Sequence, residues 1–325
     1  MTSTLKISYS YLRPFYERSS CHTSVIEELP NDYLKATYSR CRAITRQYAK
    51  TFYLAIRFLP NNKQRGIFAI YGLCRYLDNL VDEGHDLANP DKVISGKEIN
   101  AKLDLVIKEL EDIYSGKKTK NSILAAFADV IKEYNIPIKY PLLLIEGIRQ
   151  DIIKTRYKTF EEVYDYSYKV ASVVGLMTSE IFGYTDNKAV DYAIDLGIAM
   201  QLTNILRDID EDLERDRIYL PKTELDAFNI TEQQLFERSF DSKFEAFMKF
   251  QIDRARSYYE QAEKGIALLS KDSQLPVYLA HRNYSRILNK IEKNRYNVFG
   301  KRVYLSQTEK LMVLPSVLLK IRKAT

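Results

Sequence analysis

The 325-residue chain has no tryptophan and only three cysteines, three histidines and eleven glycines. Cys21, Cys41 and Cys74 are odd in number and show no CxxC spacing, which argues against a disulfide framework or a cysteine zinc site and leaves a reducing compartment as the default. His85 lies in a polar stretch with no ligand type at helical spacing, so it reads as a surface residue. No apolar run approaches the roughly 20 residues that span a bilayer. The expectation is a cytoplasmic protein that is soluble or rests on a membrane surface. No segment alternates polar and apolar residues for long, and there is no glycine-rich phosphate loop or dinucleotide fingerprint, which excludes a nucleotide-binding sheet. The net charge of +6 is spread without a Lys/Arg-rich run, so it fits an anionic ligand or lipid surface and gives no support for nucleic acid. Residues 1–24 set Lys6, Arg13 and Arg18 against Glu17 alone but carry no apolar signal core. They read as part of an N-terminal arm (1–35) preceding a helical domain (36–325), rather than as a targeting segment.

What is present is concentrated in GIAMQLTNILRDIDEDLERDRIYLP, residues 197–221, which the periodicity predicts as one helix. Gln201, Asn204, Asp208 and Asp212 follow at steps of three, four and four and so share one line of oxygen-bearing side chains. Beside them Leu202, Ile205, Leu206, Ile209 and Leu213 keep the spacing of a buried face, while Arg207, Asp210, Glu211 and Glu214 take the arc expected to be wet. Carboxylates stacked this way repel each other unless a cation lies between them. Taken alone, the stripe reads equally as a solvated acidic helix end. The second copy carries the argument: in FAIYGLCRYLDNLVD, residues 68–82, Tyr71, Arg75, Asp78 and Asp82 again share one line beside an apolar face. Two helices of one design predict two acidic clusters facing each other across a metal site.

The remainder reads as helices. Residues 32–59 form one or two, stopped at Pro60, and place Lys50 and Thr51 next to Phe52 and Tyr53. Helices follow near 97–115 and 120–134, and Pro137 and Pro141 interrupt the next segment. A capping box of Thr159 and Glu162 opens a helix to about Gly183. On that helix the small residues Ala171, Gly175, Thr178 and Ser179 serve either close packing or a groove for a long apolar ligand. Arg215, Arg217 and Tyr219 make a basic-aromatic cuff, and Tyr284, Arg295 and Arg302 a basic end suited to lie over a phosphate. The fold class expected is all-α.

Four stretches, ATYSRCRAITRQYAKTFYLAIRFLP, AIYGLCRYLDNLVDE, YSYKVASVVGLM and LGIAMQLTNILRDIDEDLERDRIYLP, resemble in order and spacing the phytoene synthase and dehydrosqualene synthase family of head-to-head prenyl transferases. The resemblance covers about residues 36–305. It implies one isoprenoid synthase helical bundle around a deep apolar pocket, with Mg²⁺, or Mn²⁺ in its place, held between two acidic helices. By position it implies metal ligation by Asp78, Asp82, Asn204, Asp208 and Asp212, and substrate contacts from Tyr48, Lys50, Thr51, Tyr71, Arg75, Gln201, Arg207 and Tyr284. Phe52 and Tyr166 become pocket-lining aromatics, and Asp78, Asp82, Asp208, Asp212, Arg75, Tyr71 and Phe52 the catalytic set. One departure is Tyr48, where some relatives carry His.

The chemistry so implied is condensation of two geranylgeranyl diphosphates to phytoene through a cyclopropylcarbinyl diphosphate, without NADPH. The same reaction on farnesyl diphosphate, giving presqualene diphosphate, dehydrosqualene or squalene, is the nearest alternative. A non-catalytic assembly factor on the same fold is the second, and intact acidic stripes argue against it. Prenyl diphosphates are the expected partners, together with peripheral membrane contact and a monomer or homodimer.

Overall fold

The computed structural model describes residues 24–82, 85–86, 89–93 and 95–324, apart from the side chains of Ser24, Thr51, Asp82, 85–93, Lys323 and Ala324. Helices dominate throughout. The first are α1 (Ser24–Glu27), α2 (Asp32–Tyr48), α3 (Lys50–Ile56) and α4 (Asn61–Asp82), followed by a short hairpin of β1 (His85–Asp86) and β2 (Asn89–Val93). Then come α5 (Gly96–Tyr114), α6 (Ser122–Tyr134), α7 (Lys139–Ile153), β3 (Arg156–Tyr157) and α8 (Phe160–Ser167), which runs through a π-helical turn at Tyr168–Ser172 into α9 (Val173–Phe182). The second half holds α10 (Lys188–Arg207), α11 (Ile209–Glu214), β4 (Ile218–Pro221), α12 (Lys222–Ala227), α13 (Glu232–Phe236), α14 (Ser242–Ile266), α15 (Lys271–Lys293), α16 (Gln307–Leu311) and α17 (Leu314–Ala324). Beyond the helices expected from sequence, β1 pairs antiparallel with β2, and β3 pairs parallel with β4.

Of the stretch assigned above to an arm, residues 1–23 lie outside the described ones. The rest enters helices, with Val25 and Ile26 in the core and Asn31 capping α2 by accepting the Leu34 N–H at 2.8 Å. The stop at Pro60 falls between α3 and α4. The apolar face of α4 is buried as its spacing requires, with Ile67, Ile70, Leu73 and Leu77 essentially inaccessible.

Two expectations need correction. Residues 197–221 are not one helix: Asp208 leaves helical geometry (φ −105°, ψ 14°), a short helix follows, and Ile218–Pro221 is a strand beside Arg156–Tyr157. The turns on either side stay connected, because Asp208 N–H donates to Asn204 O and Asp212 N–H to Asp208 O, both at 2.9 Å. The stripe therefore survives the kink. Nor does Thr159 form a capping box, since its side chain makes no cap bond and Glu162 instead accepts the Lys158 N–H at 2.8 Å.

Helix α10 is the axis of the second half. Its main partner is α14, where Gly265 allows contact so close that a Cβ there would lie 2.2 Å from Tyr192 Cβ. Its other flank meets the π-helical turn, where a Cβ on Gly197 would lie 2.4 Å from Ser172 Cα. Ser172 Oγ donates to Ile194 O at 2.8 Å across the same contact. Two apolar clusters result, one built mainly from α2–α7 and α9, the other from α8, α10, α11, β4 and α14.

Candidate active site

A cavity of about 590 Å³ opens between these clusters, drawing its walls from both. Its apolar surface comes from residues such as Phe52, Ile56 and Leu59 of the first half, and from Leu196, Met200 and Ile266 of the second. All four small residues singled out above, Ala171, Gly175, Thr178 and Ser179, line it, as do Tyr166, Val170 and Val174. The two hydroxyls are satisfied within their own helix, Thr178 Oγ1 and Ser179 Oγ both donating to Gly175 O at 2.9 and 2.8 Å. Gly175 also packs against α10, where a Cβ would meet Ala193 O at 3.1 Å. Groove and close packing are thus the same stripe.

The polar end brings both acidic helices to this one cavity. Asp78 enters from α4, and Gln201, Asn204, Asp208 and Asp212 enter from α10, the kink and α11. Asp82 lies one turn beyond Asp78, with its side chain outside those described. Asn204 Nδ2 donates to Gln201 Oε1 at 3.4 Å, so these two amides are coupled. Asp208 is gripped from two sides. Arg207 reaches it at 2.7 and 2.5 Å, and Arg302, from the segment before α16, at 2.9 and 3.0 Å. Arg207 thus belongs to the interior and not to the solvent-facing arc, because its guanidinium turns onto the neighbouring carboxylate and leaves only 15% of the side chain exposed. Arg302 also approaches Glu211 at 3.4 Å, whereas Arg295 is exposed in a left-handed turn and does not line the cavity.

Asp212 has no such grip. Burial, followed by the charge of Asp208, pushes its carboxyl up to about 7, against the opposing pull of Arg215 and Arg217. The guanidinium of Arg75 stands outside the cavity lining, 4.3 Å above the ring of Tyr48, which does line it; its Nε is buried and without a hydrogen-bond partner among the described residues. Tyr48, Tyr71 and Tyr284 line the cavity, and Phe52 packs on Tyr71 at 6.3 Å between ring centres. Burial drives the Tyr71 hydroxyl well above its ordinary value, so it is a neutral donor. Lys50 is exposed and stands outside the cavity lining, close enough for its charge to help lower the pKa of Lys310. The side chain of Thr51 lies outside those described.

Sequence reasoning missed Asp151, Arg215 and Arg217 as a group. The cuff residues Arg215, Arg217 and Tyr219 do line the cavity, and so does Asp151, near the end of α7, which accepts from Arg217 and Tyr219. A signal existed, since Asp151 continues the buried line of Leu144 and Ile148 at steps of four and three, where a carboxylate is out of place unless paired.

Among the described residues no three His, Cys, Asp or Glu side chains gather closely enough to hold a metal ion unaided. The donors are nonetheless hard oxygens on two helices, and Asp212 is a carboxylate short of positive charge. Such a set suits Mg²⁺, which keeps several waters and binds through a few carboxylates together with substrate phosphates rather than in an all-protein cage.

These features define the all-α isoprenoid synthase fold. The structure is similar to a dehydrosqualene synthase at a TM-score of 0.81 and 27% identity, covering 90% of this chain and 98% of that one. It is also similar to a squalene synthase of Alicyclobacillus acidocaldarius at 0.76 and 26%, covering 85% and 100%. In sequence, the squalene/phytoene synthase family matches residues 45–309. The chain is 42% identical over 299 residues to a 15-cis-phytoene synthase of Synechococcus elongatus, covering 88% of this chain and 94% of the relative. It is 41% identical over 294 residues to a chloroplastic phytoene synthase of Zea mays, covering 89% and 69%. The chain belongs to the squalene/phytoene synthase family.

Proposed function

We propose that this chain condenses two geranylgeranyl diphosphates head to head, giving phytoene through a cyclopropylcarbinyl diphosphate and releasing diphosphate. The observation that carries the reading is the convergence of Asp78 and the Gln201–Asp212 stripe on one end of a largely apolar cavity. A diphosphate leaves a prenyl carbon only when its growing charge is met, and an allylic cation persists only where water is excluded. The cavity offers both conditions, a polar mouth and an oily interior. Similarity to phytoene synthases at 42% identity, against 27% for the dehydrosqualene synthase, supports the longer substrate.

In this reading Asp78, Asp82, Asn204, Asp208 and Asp212 hold Mg²⁺, or Mn²⁺ in its place, which when bound supplies positive charge to the diphosphate oxygens. Arg75, Arg207 and Tyr71 bind the same oxygens, with Tyr48, Lys50, Thr51, Gln201 and Tyr284 as further contacts around the mouth. Phe52 and Tyr166 present ring faces to the cationic carbons. Loss of the first diphosphate leaves an allylic cation; attack by the alkene of the second substrate, with loss of one proton to that released diphosphate, closes the cyclopropane. A second ionisation and rearrangement then join the two C1 atoms, and the released diphosphate takes the last proton. NADPH has no part in this sequence. Peripheral membrane contact follows from an oily product, and Met312 and Leu319, exposed beside Arg322 near the C-terminal end, suit it. Among the described residues no helix is long and apolar enough to cross a membrane.

The test is incubation of the purified chain with geranylgeranyl or farnesyl diphosphate, with and without Mg²⁺ and NADPH, and identification of the extracted hydrocarbon. Phytoene from the C20 substrate alone is expected. Dehydrosqualene from the C15 substrate would move the assignment to the shorter reaction, and no product from either would remove it.

A further inference from the structure

Asp151 belongs to the charged group at the polar end of the cavity, where it, Arg215 and Arg217 all act on Asp212. It projects from α7 into the cavity lining, and both of its oxygens are taken by phenols. Tyr219 Oη donates to Oδ1 at 2.8 Å, and Tyr166 Oη to Oδ2 at 3.1 Å. Arg217 Nη2 donates to its backbone carbonyl at 3.1 Å, which fixes the end of the helix against β4. The two tyrosines also line the cavity, and their rings stack on each other at 5.1 Å; Tyr219 stacks on Tyr157 at 5.5 Å, while Tyr166 meets that ring at 5.5 Å tilted by 52°. Tyr166 and Tyr219 therefore form a stacked pair backed by Tyr157, with the negative charge at the pair's hydroxyl edge and both of its rings reaching the cavity.

A phenol that donates to a carboxylate is polarised by it: electron density moves from the O–H bond toward the ring, and hydrogen bonds in a low-dielectric interior strengthen one another. The ring face becomes a better partner for a cation. A neutral acceptor in the same place would orient the tyrosines without this effect.

We propose that Asp151 is a positioning residue for the reaction, and that it charges an aromatic wall of Tyr166 and Tyr219 so that the wall binds the carbocations formed in the cavity. The proposal rests on the functional reading above. Asp151 itself touches no reacting carbon; it acts through the two rings.

The experiment separates charge from shape without relying on turnover. The full-length wild type and Asp151→Asn are titrated by calorimetry with a geranylgeranyl chain carrying a trimethylammonium head and with its neutral tert-butyl isostere. The ammonium ligand should lose about tenfold in affinity in the variant, the scale of a desolvated cation–π contact, while the neutral ligand holds its affinity. In turnover, kcat should fall with KM unchanged, as for an interaction made with the cationic species and not with bound substrate. Tyr219→Phe, which removes one of the two hydrogen bonds and keeps the carboxylate, should show a smaller loss of the same kind and serves if Asp151→Asn does not fold. Equal losses for both ligands, or no loss for either, overturn the proposal by leaving Asp151 a packing residue. A wild type that binds the ammonium ligand selectively but makes no hydrocarbon from either diphosphate would instead remove the functional reading and leave the charged wall standing.

Discussion

Gly197→Ala is the most economical probe of the way this site is held. Gly197 lies on α10 one turn before Gln201 and lines the cavity. An added Cβ would lie 2.4 Å from Ser172 Cα, 2.6 Å from Ser172 N and 2.7 Å from its Oγ, where ordinary contact begins at 3.4 Å. Two of these atoms are backbone, so no rotamer change relieves the clash and α10 must retreat from the π-helical turn by about 1 Å. Overpacking of this kind costs about 1–3 kcal/mol, and alanine returns about 1 kcal/mol of helix propensity. The net loss of up to roughly 2 kcal/mol lowers Tm by up to about 3 °C in a domain of this size. Activity should suffer more, because Gln201, Asn204 and Asp208 ride on the displaced segment and a misplacement of about 1 Å can cost on the order of 10²-fold. Thermal melts by circular dichroism and a hydrocarbon assay on the same preparations read the two effects. Gly116→Ala is the control: its φ of +91° makes alanine unfavourable, but nothing lies within 4 Å, so stability should drop with turnover retained. Wild-type melting and turnover in Gly197→Ala would refute the claim that this contact sets the register of the polar stripe.

Asp208→Asn should reduce turnover by about 10²-fold or more while the far-ultraviolet spectrum stays helical, and near-normal rates would contradict the placement of diphosphate chemistry at this carboxylate. Lys63→Met should lower stability by about 1 kcal/mol in denaturant titration, because it removes donors to Phe182 O, Asp272 and Ser273 at 2.8, 2.7 and 3.0 Å, while the exposed Asp272 carboxylate keeps the Ser273 hydroxyl. His281 is held neutral, chiefly by burial and against the pull of Glu263, so its pKa is lowered on folding. Its contribution is present above the unfolded value near 6.5 and is lost as pH falls toward the lowered folded value, so melting should weaken between about pH 7 and 5. His281→Gln should flatten that dependence, and an unchanged slope would assign it to other groups.

Much of this architecture is written in helical periodicity. The spacing of Ile70, Leu73 and Leu77 determines which face of α4 is buried, and therefore where Asp78 points. The same counting placed Gln201, Asn204, Asp208 and Asp212 on one cavity, and the kink at Asp208 left that intact because the flanking hydrogen bonds persist. Counting failed wherever a side chain is decided by a partner distant in sequence. Arg207 reads as solvent-facing by position, yet its neighbour Asp208 draws it inward together with Arg302, 94 residues later. Asp151 carries no motif of its own, since the phenols that hold it come from 15 and 68 residues away. The π-helical turn YKVAS likewise carries no motif that periodicity reads, and it packs on α10 at Gly197 and Ile194.

The clasp of Arg302 on Asp208 also bears on how the protein is made. A ribosome delivers Asp78 and the entire acidic stripe long before it delivers residue 302, and until then Arg207 alone balances Asp208. The mouth acquires its full set of charges only when the segment carrying Arg302 folds back over it, after the residues that wall the hollow, up to Tyr284, have been made.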